Sequence, residues 1–352
     1  MDYLILVINP GSTSTKLAIY ENEKEVVRKT LKHPDDVVQK PLFPEQYECR
    51  KKNILDFLEE NGFNPKNFSA IAARGGRLKP LKAGVYRIDS RMMNDAMIGL
   101  QGEHPANISV VLAYELSQTY GIPAFTVDPI SVDEMWDVAR ITGIAGIERR
   151  CLSHALNMKA AAKKAAQELK KNYEDCNLIV VHLGGGGSIS AHLNGRMVDV
   201  YNSDKEGPFA IERAGAIPTL DLLEYMKSRG LDVSQVVRLL SHEGGLYSLF
   251  GTRDFEKIEQ LASEDPKKQL YLRAYVYNIC KYAASFLPIF RGNVDAIVFT
   301  GGVCLSKKVR SMIEESLSFA GKLLWYPGEF EMETLALRTL AVLRGEEEIL
   351  EY

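Results

Sequence analysis

Four consecutive glycines join two strand-like segments in the stretch LIVVHLGGGGSISAHLNG, residues 178–195. Leu178 to Leu183 predicts a buried strand, and Ile189 to Leu193 predicts a second strand that ends at the hairpin turn Asn194-Gly195. A dinucleotide-binding motif would need a helix after the glycines, so this stretch does not indicate a Rossmann site. Because a glycine run is costly in conformational entropy, we expect the loop to approach a ligand closely; a merely flexible loop is the alternative.

The same arrangement opens the chain. Leu4 to Asn9 predicts a strand, Pro10 to Thr15 is a small polar loop, and Lys16 to Tyr20 predicts another strand. This repetition indicates two related domains, the second beginning near residue 150, whose loops face each other across a cleft.

Other strand-like and helical segments alternate along the chain, which is typical of the α/β class. Strands are predicted at Ala70 to Arg74, Ile122 to Asp128 and Asp295 to Thr300. Helices are predicted from Ser153, a candidate N-cap, to Lys171, from Leu270 to Phe286, and after Glu331.

Composition excludes several classes of function. The 352 residues carry a net charge of -3, which gives no field for binding nucleic acid or an anionic membrane. The five cysteines are scattered without a C-x-x-C pair, and the six histidines show no zinc-hydrolase spacing. The apolar run at the N-terminus is too short to span a bilayer. We therefore expect a reduced, cytoplasmic protein.

The first polar loop offers donors for an anion. Gly11 to Lys16 lacks the second glycine of a Walker A motif, and a strand rather than a helix follows it. Its backbone N–H groups, hydroxyls and Lys16 nevertheless suit a phosphate. The alternative is an ordinary polar hairpin, which uses the same types of residue.

Charged residues stand beside the glycine-rich segments. Arg74, His182 and Arg213 each suit a phosphate oxygen, with a surface ion pair or a core histidine as the alternative. Asp128 ends a predicted strand, the usual place of a catalytic carboxylate in an open sheet and also of a turn cap. Gly301-Gly302 lies between a predicted strand and a helix, a ligand-facing arrangement.

The order of these motifs is more specific than any one of them. The ordered motifs are VINPGSTSTK at 7–16, Arg74-Gly75-Gly76, Asp128-Pro129, VHLGGGGS at 181–188, Glu206-Gly207-Pro208-Phe209, FTGGV at 299–303 and PGEFEM at 327–332. In this order they resemble the acetate and butyrate kinase family of the acetate/sugar kinase, Hsp70 and actin superfamily, and the butyrate kinase branch is the closer fit.

The resemblance implies an α/β fold of two actin-like (RNase H-like) domains, each a mixed sheet flanked by helices, facing a central nucleotide cleft. Residues 1–150 with 331–352 would form the N-terminal domain on the acid side, and residues 151–330 the domain on the nucleotide side. It also implies a homo-oligomer and a reversible, in-line phosphorylation of a short-chain carboxylic acid, such as butyrate or isobutyrate, by ATP with Mg²⁺. Acetate or propionate, or a hydroxylated small molecule, is the alternative acceptor.

Site residues follow from the resemblance position by position. Asn9, Ser12, Ser14 and Lys16 would line the phosphates from the first domain, and His182 with Gly184, Gly185 and Gly186 would approach them from the second. The acyl carboxylate and the transferring phosphoryl group would be held by Arg74 and Arg213, and Asp128 resembles the catalytic aspartate of the family. Mg²⁺ would lie at Glu331 and Asp128, and Glu333 is close enough in sequence to be the alternative to Glu331. Gly301, Gly302 and Val303 would border the adenosine.

Two departures from acetate kinases stand out. Arg150 stands where acetate kinases have a histidine, so the role of that histidine cannot be transferred to this chain. Gly102 stands where they have a leucine that closes the acid pocket. The glycine would leave room for a longer or branched acid. A nucleotide-dependent chaperone or filament protein is a further alternative on the same scaffold.

A carboxylate acceptor is chemically consistent with these residues. Carboxylic acids are ionised at neutral pH, so the reaction needs no strong base. It needs positive charge and positioning, because two anionic groups must meet.

Overall fold

A computed structural model describes residues 2–38 and 40–352. In chain order the strands are β1 (Leu4–Pro10), β2 (Ser14–Glu21), β3 (Lys24–Lys32), β4 (Ala70–Arg74), β5 (Val85–Arg87), β6 (Ala124–Val127), β7 (Leu178–Leu183), β8 (Gly187–Leu193), β9 (Arg196–Asn202), β10 (Ala296–Gly301), β11 (Lys322–Pro327) and β12 (Ile349–Leu350). The α-helices are α1 (Asp35–Val38), α2 (Tyr47–Glu60), α3 (Ser90–Ile98), α4 (Pro105–Tyr120), α5 (Asp137–Arg140), α6 (Ala155–Glu168), α7 (Thr219–Arg229), α8 (Val233–His242), α9 (Gly245–Phe250), α10 (Phe255–Glu264), α11 (Pro266–Ala284), α12 (Lys307–Leu317) and α13 (Glu331–Leu343).

The chain divides into two compact units. Unit 1 runs to Asp133 and includes Phe330–Tyr352, and unit 2 is Glu134–Glu329. Residues 134–150, assigned to the first domain by the sequence, thus cluster with unit 2. The reason is local: the Trp136 N–H donates to the Val198 carbonyl at 2.9 Å, and Arg149 pairs with Asp199 at 2.8 Å.

Each unit contains one mixed sheet, and the two sheets share a topology. The order is β12-β5-β6-β4-β1-β2-β3 in unit 1 and β11-β10-β7-β8-β9 in unit 2. In both, an antiparallel three-strand meander continues into two parallel strands, so β3-β2-β1-β4-β6 corresponds to β9-β8-β7-β10-β11. The internal repeat predicted from the two strand–loop–strand segments is confirmed, as is the two-domain α/β class.

Helices cover the sheets and bury their apolar faces. In unit 1, α4 and the C-terminal α13 pack on β1, β4 and β6. In unit 2, α6 packs on β7 and β10, and Tyr275 of α11 joins a core with Phe299 and with Phe286, which follows the helix. No helix in the described part of the chain combines the length and apolar character needed to cross a bilayer.

The predicted start of the helix near Ser153 is wrong by two residues. Helix α6 begins at Ala155, and His154 occupies the N-cap position without capping through its side chain. Its Nδ1 instead lies 2.9 Å from the Ser188 hydroxyl. The Ser153 hydroxyl is buried and has no hydrogen-bond partner among the described residues, so the expected cap is absent. The strand predicted at Ile122 to Asp128 is shortened to β6 because Pro123 and Pro129 flank it.

Candidate active site

The carboxyl ends of three neighbouring parallel strands bring the predicted residues of unit 1 to one edge of the sheet. Ile8 of β1 pairs with Ala73 of β4, and Arg74 of β4 pairs with Val127 of β6. Asn9, Arg74 and Asp128 therefore stand next to one another along this edge. Lys16 of β2 is the register partner of Asn9, so their side chains share a face of the sheet.

A buried cluster joins Asn9, Arg74 and Glu331. The Asn9 amide Nδ2 donates to Oε2 of Glu331 at 2.7 Å, and Nη2 of Arg74 lies 3.3 Å from Oε1 of the same carboxylate. Nη1 of Arg74 donates to Oδ1 of Asn9 at 3.4 Å. Glu331 is the first residue of α13, where a negative charge is favoured, whereas Glu333 is exposed. Of the two glutamates left open by the sequence, Glu331 is the one that joins the cluster.

Asp128 is buried and bound on both carboxylate oxygens. Its Oδ1 accepts the Gly84 N–H at 2.8 Å, and its Oδ2 pairs with Nη1 of Arg338, which also binds Glu347. Although burial lowers the pKa of Arg338, the charges of Asp128 and Glu347 raise it above its ordinary value. The sequence analysis missed Arg338. Its position seven residues after Glu331 was the available signal, because that spacing places both on one face of α13.

The glycines after Arg74 are explained by their neighbours. A Cβ atom on Gly75 would lie 2.3 Å from Cβ of Pro129, and one on Gly76 would lie 2.1 Å from Oδ1 of Asn107. A side chain at either position would push the motifs apart. These two glycines therefore bring Arg74 close to the segment that carries Asp128 and to the start of α4.

Gly102 is exposed at the turn before α4 and has a φ of +103°. This left-handed backbone favours glycine by itself. A Cβ atom there would lie 3.2 Å from Nη1 of Arg77. The backbone accounts for the glycine that the sequence analysis attributed to a wider acid pocket.

A fully buried arginine that the sequence analysis missed holds the β1–β2 loop. Arg50 lies on α2 and is not exposed to solvent. Its guanidinium donates to the carbonyls of Gly11 at 3.0 Å, Ser14 at 3.2 Å and Ser12 at 3.4 Å. In a trans peptide the N–H points opposite to the carbonyl. Turning these carbonyls toward Arg50 therefore directs the N–H groups that follow them away from it, as an anion-binding loop requires.

The register of unit 2 places a polar row beneath α6. His182 of β7 pairs with Ser188 of β8 on one side and with Thr300 of β10 on the other. The His182 ring is 4% exposed and stacks on His154, with 4.1 Å between ring centroids. The sequence left open whether His182 is a core histidine, and it is buried at the point where β7 enters the glycine loop.

The glycine loop lies against His182 at Gly184 and against Arg213 at Gly186. A Cβ atom on Gly184 would lie 3.3 Å from Nε2 of His182, and one on Gly186 would lie 2.5 Å from Nη1 of Arg213. The loop is closed by a hydrogen bond of 2.9 Å from the Gly184 N–H to the Gly186 carbonyl. Gly185 is in ordinary contact only, 3.7 Å from Glu212. Close approach of the backbone to a ring and a guanidinium thus explains two of the four glycines.

Arg213 is already paired within unit 2. Its Nε lies 2.8 Å from Oδ1 of Asp204, and its Nη1 donates to Oδ1 of Asn202 at 3.5 Å. Asp204 was not predicted as a site residue. An anion that binds Arg213 would share the guanidinium with this carboxylate.

In the Gly301-Gly302 pair, the backbone conformation and the close packing explain the glycine at position 301. Its φ is +98°, and a Cβ atom there would lie 2.2 Å from the Leu183 carbonyl oxygen. Gly301 and Gly328 exchange two backbone hydrogen bonds of 3.0 Å. Val303 is buried in the core of unit 2, whereas Gly302 is exposed with open space beside it.

The carboxylates of unit 1 are candidate ligands for Mg²⁺. Mg²⁺ prefers oxygen ligands, and when nucleotide phosphates supply some of them it needs only one or two carboxylates. Glu331 and Asp128 carry such oxygens, although each of the four already has a protein partner with which a bound ion would share it. Among residues 2–38 and 40–352, no group of three or more His, Cys, Asp or Glu side chains is arranged to hold a metal by itself. The residues fit a Mg²⁺ that enters with phosphates.

Comparison with solved structures identifies the fold. The acetate kinase of Porphyromonas gingivalis is 19% identical with a TM-score of 0.78, over 97% of this chain and 100% of that one. A propionate kinase from Francisella tularensis is 19% identical with a TM-score of 0.77, over 96% and 98%. The acetate kinase of Entamoeba histolytica is 16% identical with a TM-score of 0.76, over 96% and 99%. At these identities the likeness establishes the fold alone.

The family is established by a match of sequence. The model of the acetokinase family matches residues 141–325, more than half of the chain. The matched stretch contains His182, the glycine loop, Arg213 and Gly301-Gly302. With this match and the shared two-domain fold, the chain belongs to the acetokinase family.

Proposed function

We propose that this protein transfers the terminal phosphoryl group of ATP to a short-chain carboxylic acid, giving an acyl phosphate and ADP reversibly. Butyrate, or a branched acid such as isobutyrate, is the proposed acceptor. Membership of the acetokinase family supports a carboxyl-group phosphotransferase. Unit 1 would hold the acid, and unit 2 the nucleotide.

The contacts of the Asp128 carboxylate are the observation that favours a carboxylate over a hydroxyl acceptor. A hydroxyl acceptor must lose a proton to a base, whereas a carboxylate acceptor is already ionised. Both oxygens of Asp128 are engaged, one by the Gly84 N–H and one by Arg338. Protonating Asp128 would break a buried ion pair, so this carboxylate is poorly suited to act as a base. The arrangement supports an acceptor that arrives without a proton.

Positive charge and backbone donors would supply the rate. Arg74 would bind the acid carboxylate while Glu331 and Asn9 fix its guanidinium. Arg213 and His182 would bind phosphoryl oxygens at the glycine loop. Such groups stabilise charge as it develops, and a single well-placed donor contributes about 3 to 4 kcal/mol to transition states of this kind.

Mg²⁺ would be held by the phosphates with Glu331 and Asp128 as nearby carboxylates. When bound, it neutralises phosphate charge and orients the transferring group. The N–H groups of the β1–β2 loop, with Ser12, Ser14 and Lys16, would bind phosphate oxygens from unit 1. Gly302 would border the adenosine in unit 2, together with Gly301 and Val303.

An acceptor panel tests the proposal. Purified protein with Mg-ATP is offered acetate, propionate, butyrate, isobutyrate, isovalerate and glycerol, and hydroxylamine traps acyl phosphate as hydroxamate. We expect the four- and five-carbon acids to give the most hydroxamate. A preference for acetate would retain the carboxylate kinase and reject the proposed acid. ATP consumption stimulated by glycerol, with no hydroxamate from any acid, would reject the carboxylate acceptor.

A further inference from the structure

The two ring nitrogens of His182 face different surroundings. Nδ1 lies 2.9 Å from the amide nitrogen Nδ2 of Asn157, a residue of α6. Nε2 is on the side of the glycine loop, where a Cβ atom on Gly184 would lie 3.3 Å from it. The partners of the two nitrogens decide which of them carries the proton of the neutral ring.

The orientation of the Asn157 amide follows from a chain of hydrogen bonds. The Gly328 carbonyl can only accept, so the Thr300 hydroxyl, 3.2 Å away, donates its single proton to it. The Thr300 oxygen must then accept the bond of 3.1 Å from Asn157, which identifies the facing group as the amide NH₂.

An NH₂ group has no acceptor, so the same Asn157 nitrogen donates to His182 as well. Nδ1 of His182 therefore accepts and carries no proton, and the neutral ring carries its proton on Nε2. Asn157 and Thr300 are fully buried, and Thr300 is the register partner of His182. The chain of donors is thus built into the packing of α6 on β7 and β10.

We propose that Asn157 is a positioning residue that holds His182 in the tautomer with the proton on Nε2, so that the ring donates to an anionic oxygen bound at the Gly184–Gly186 loop. The identity of that oxygen as a nucleotide phosphate rests on the proposed function; the tautomer does not. The reversed tautomer would turn a lone pair toward the same oxygen and repel it.

Nitrogen NMR of the imidazole reads the tautomer directly. The protein is labelled with ¹⁵N-histidine, and the His182 signals are assigned by their loss in His182→Gln. In the nucleotide-free wild type at neutral pH we expect an unprotonated Nδ1 and a protonated Nε2. A proton on Nδ1 in the wild type would overturn the proposal, whatever the activity of the enzyme.

Two substitutions of Asn157 change the donor in graded steps. In Asn157→Asp the carboxylate can only accept a hydrogen bond, so it favours the tautomer with a proton on Nδ1, and the NMR pattern should gain an Nδ1 proton. In Asn157→Leu the ring loses its donor and should populate both tautomers. Thr300→Val tests the other end of the chain: without the hydroxyl the Asn157 amide can turn its oxygen toward Nδ1, so part of the rings should gain an Nδ1 proton.

Calorimetric binding of Mg-ADP links the tautomer to the ligand without requiring turnover. We expect the Kd of Mg-ADP to rise about twofold in Asn157→Leu, because only about half of the rings then hold the binding tautomer, and by more in Asn157→Asp, where the opposite tautomer is favoured. An unchanged Kd in Asn157→Leu, with a changed tautomer, would overturn the proposal.

The proposal and the proposed function can fail separately. If no acid yields hydroxamate while the tautomer and the Mg-ADP affinity change together, the inference on Asn157 is supported and the acceptor is rejected. If hydroxamate forms but the wild-type ring carries its proton on Nδ1, the function is retained and the inference is rejected.

Discussion

The guanidinium of Arg213 lies against the backbone of Gly186, and Pro129 and Asn107 lie in the same way against Gly75 and Gly76. At each position a Cβ atom would approach a heavy atom to 2.5 Å or less. The glycines of these motifs are therefore part of how charged side chains are positioned. Backbone flexibility is not needed to explain them.

At the residue scale, Glu331 is the carboxylate that orients Arg74. Glu331→Gln keeps the size of the side chain but removes the charge that faces Arg74. We expect kcat/KM for the acid to fall about 100-fold, comparable to the loss of one preorganised electrostatic contact. Steady-state kinetics with Mg-ATP and butyrate measures the change.

Glu333→Gln is the matched control, because Glu333 lies on the same turn of α13 and is exposed. It should retain kcat/KM within about twofold, as expected for a surface substitution. Equal losses in the two variants, or no loss in Glu331→Gln, would contradict the role given to the Asn9–Arg74–Glu331 cluster.

At the scale of elements, α2 supports the β1–β2 loop through the side chain of Arg50. Arg50 donates to three loop carbonyls and to Oγ1 of Thr15, which lies 2.8 Å away. Burial lowers the pKa of Arg50 to about 10, which still leaves the guanidinium charged at neutral pH. The loop conformation thus depends on a helix that begins more than thirty residues later.

Arg50→Leu should destabilise the protein and weaken nucleotide binding. Carbonyls left buried without a donor cost about 1 to 3 kcal/mol each, so we expect a loss of about 3 kcal/mol in the free energy of unfolding. The KM for ATP should rise by about tenfold or more, since the loop N–H groups lose their orientation. Urea denaturation and steady-state kinetics measure the two effects.

Lys52→Ala serves as the control on the same helix, since the exposed Lys52 pairs with Asp56 one turn away and does not face the loop carbonyls bound by Arg50. Its free energy of unfolding should stay close to the wild-type value, as expected for an exposed ion pair. An Arg50→Leu variant with wild-type stability and ATP affinity would show that the loop keeps its conformation without the buried guanidinium.

At the scale of the whole molecule, buried neutral histidines make stability depend on pH. Burial, and then the positive charge of Arg50, lower the pKa of His33 to about 4. Burial likewise lowers the pKa of His192 well below its ordinary value. Both rings are hydrogen-bonded in the folded chain: Nε2 of His33 lies 2.8 Å from the Thr15 hydroxyl, and Nδ1 of His192 lies 2.7 Å from the Tyr173 hydroxyl.

The unfolded chain binds protons at these histidines near pH 6.5, whereas the folded chain does not until about pH 4 at His33. Their stabilising effect is therefore complete above pH 6.5 and is lost as the pH falls toward 4. For His33 alone, the free energy of unfolding should fall by up to about 3 kcal/mol across this range.

Urea denaturation at several pH values measures this dependence. His33→Asn should flatten the curve between pH 6.5 and 4, the interval between its unfolded and folded pKa values. His242→Asn, at an exposed position, should leave the curve unchanged. An unaltered slope in His33→Asn would contradict the assignment of a buried neutral ring.

Several features of the fold could be predicted from the sequence because they depend on neighbours along the chain. The strands at Ala70–Arg74 and Leu178–Leu183 have the bounds expected from their apolar runs. The Asn194-Gly195 turn joins β8 to β9 as its residues require. The repetition of strand, loop and strand revealed the shared topology of the two sheets.

The supporting residues of the site could not be found in this way. Arg338 binds Asp128 across 210 positions of sequence, and Arg50 binds the β1–β2 loop across more than thirty. A single arginine on a helix carries no local pattern that names its partner. The same holds for Asn157, because its proposed role depends on the strand register that places Thr300 beside His182.

The sequence by itself determined the α/β class, the internal repeat, the ordered motifs and hence the family resemblance, because apolar periodicity, turn residues and glycine runs are local signals. Only the tertiary structure decided that Glu331 rather than Glu333 faces Arg74, that Asp128 is held by Arg338, and that α6 covers His182. These outcomes depend on strand register and helix packing, which bring distant residues within hydrogen-bond distance and have no counterpart in local sequence.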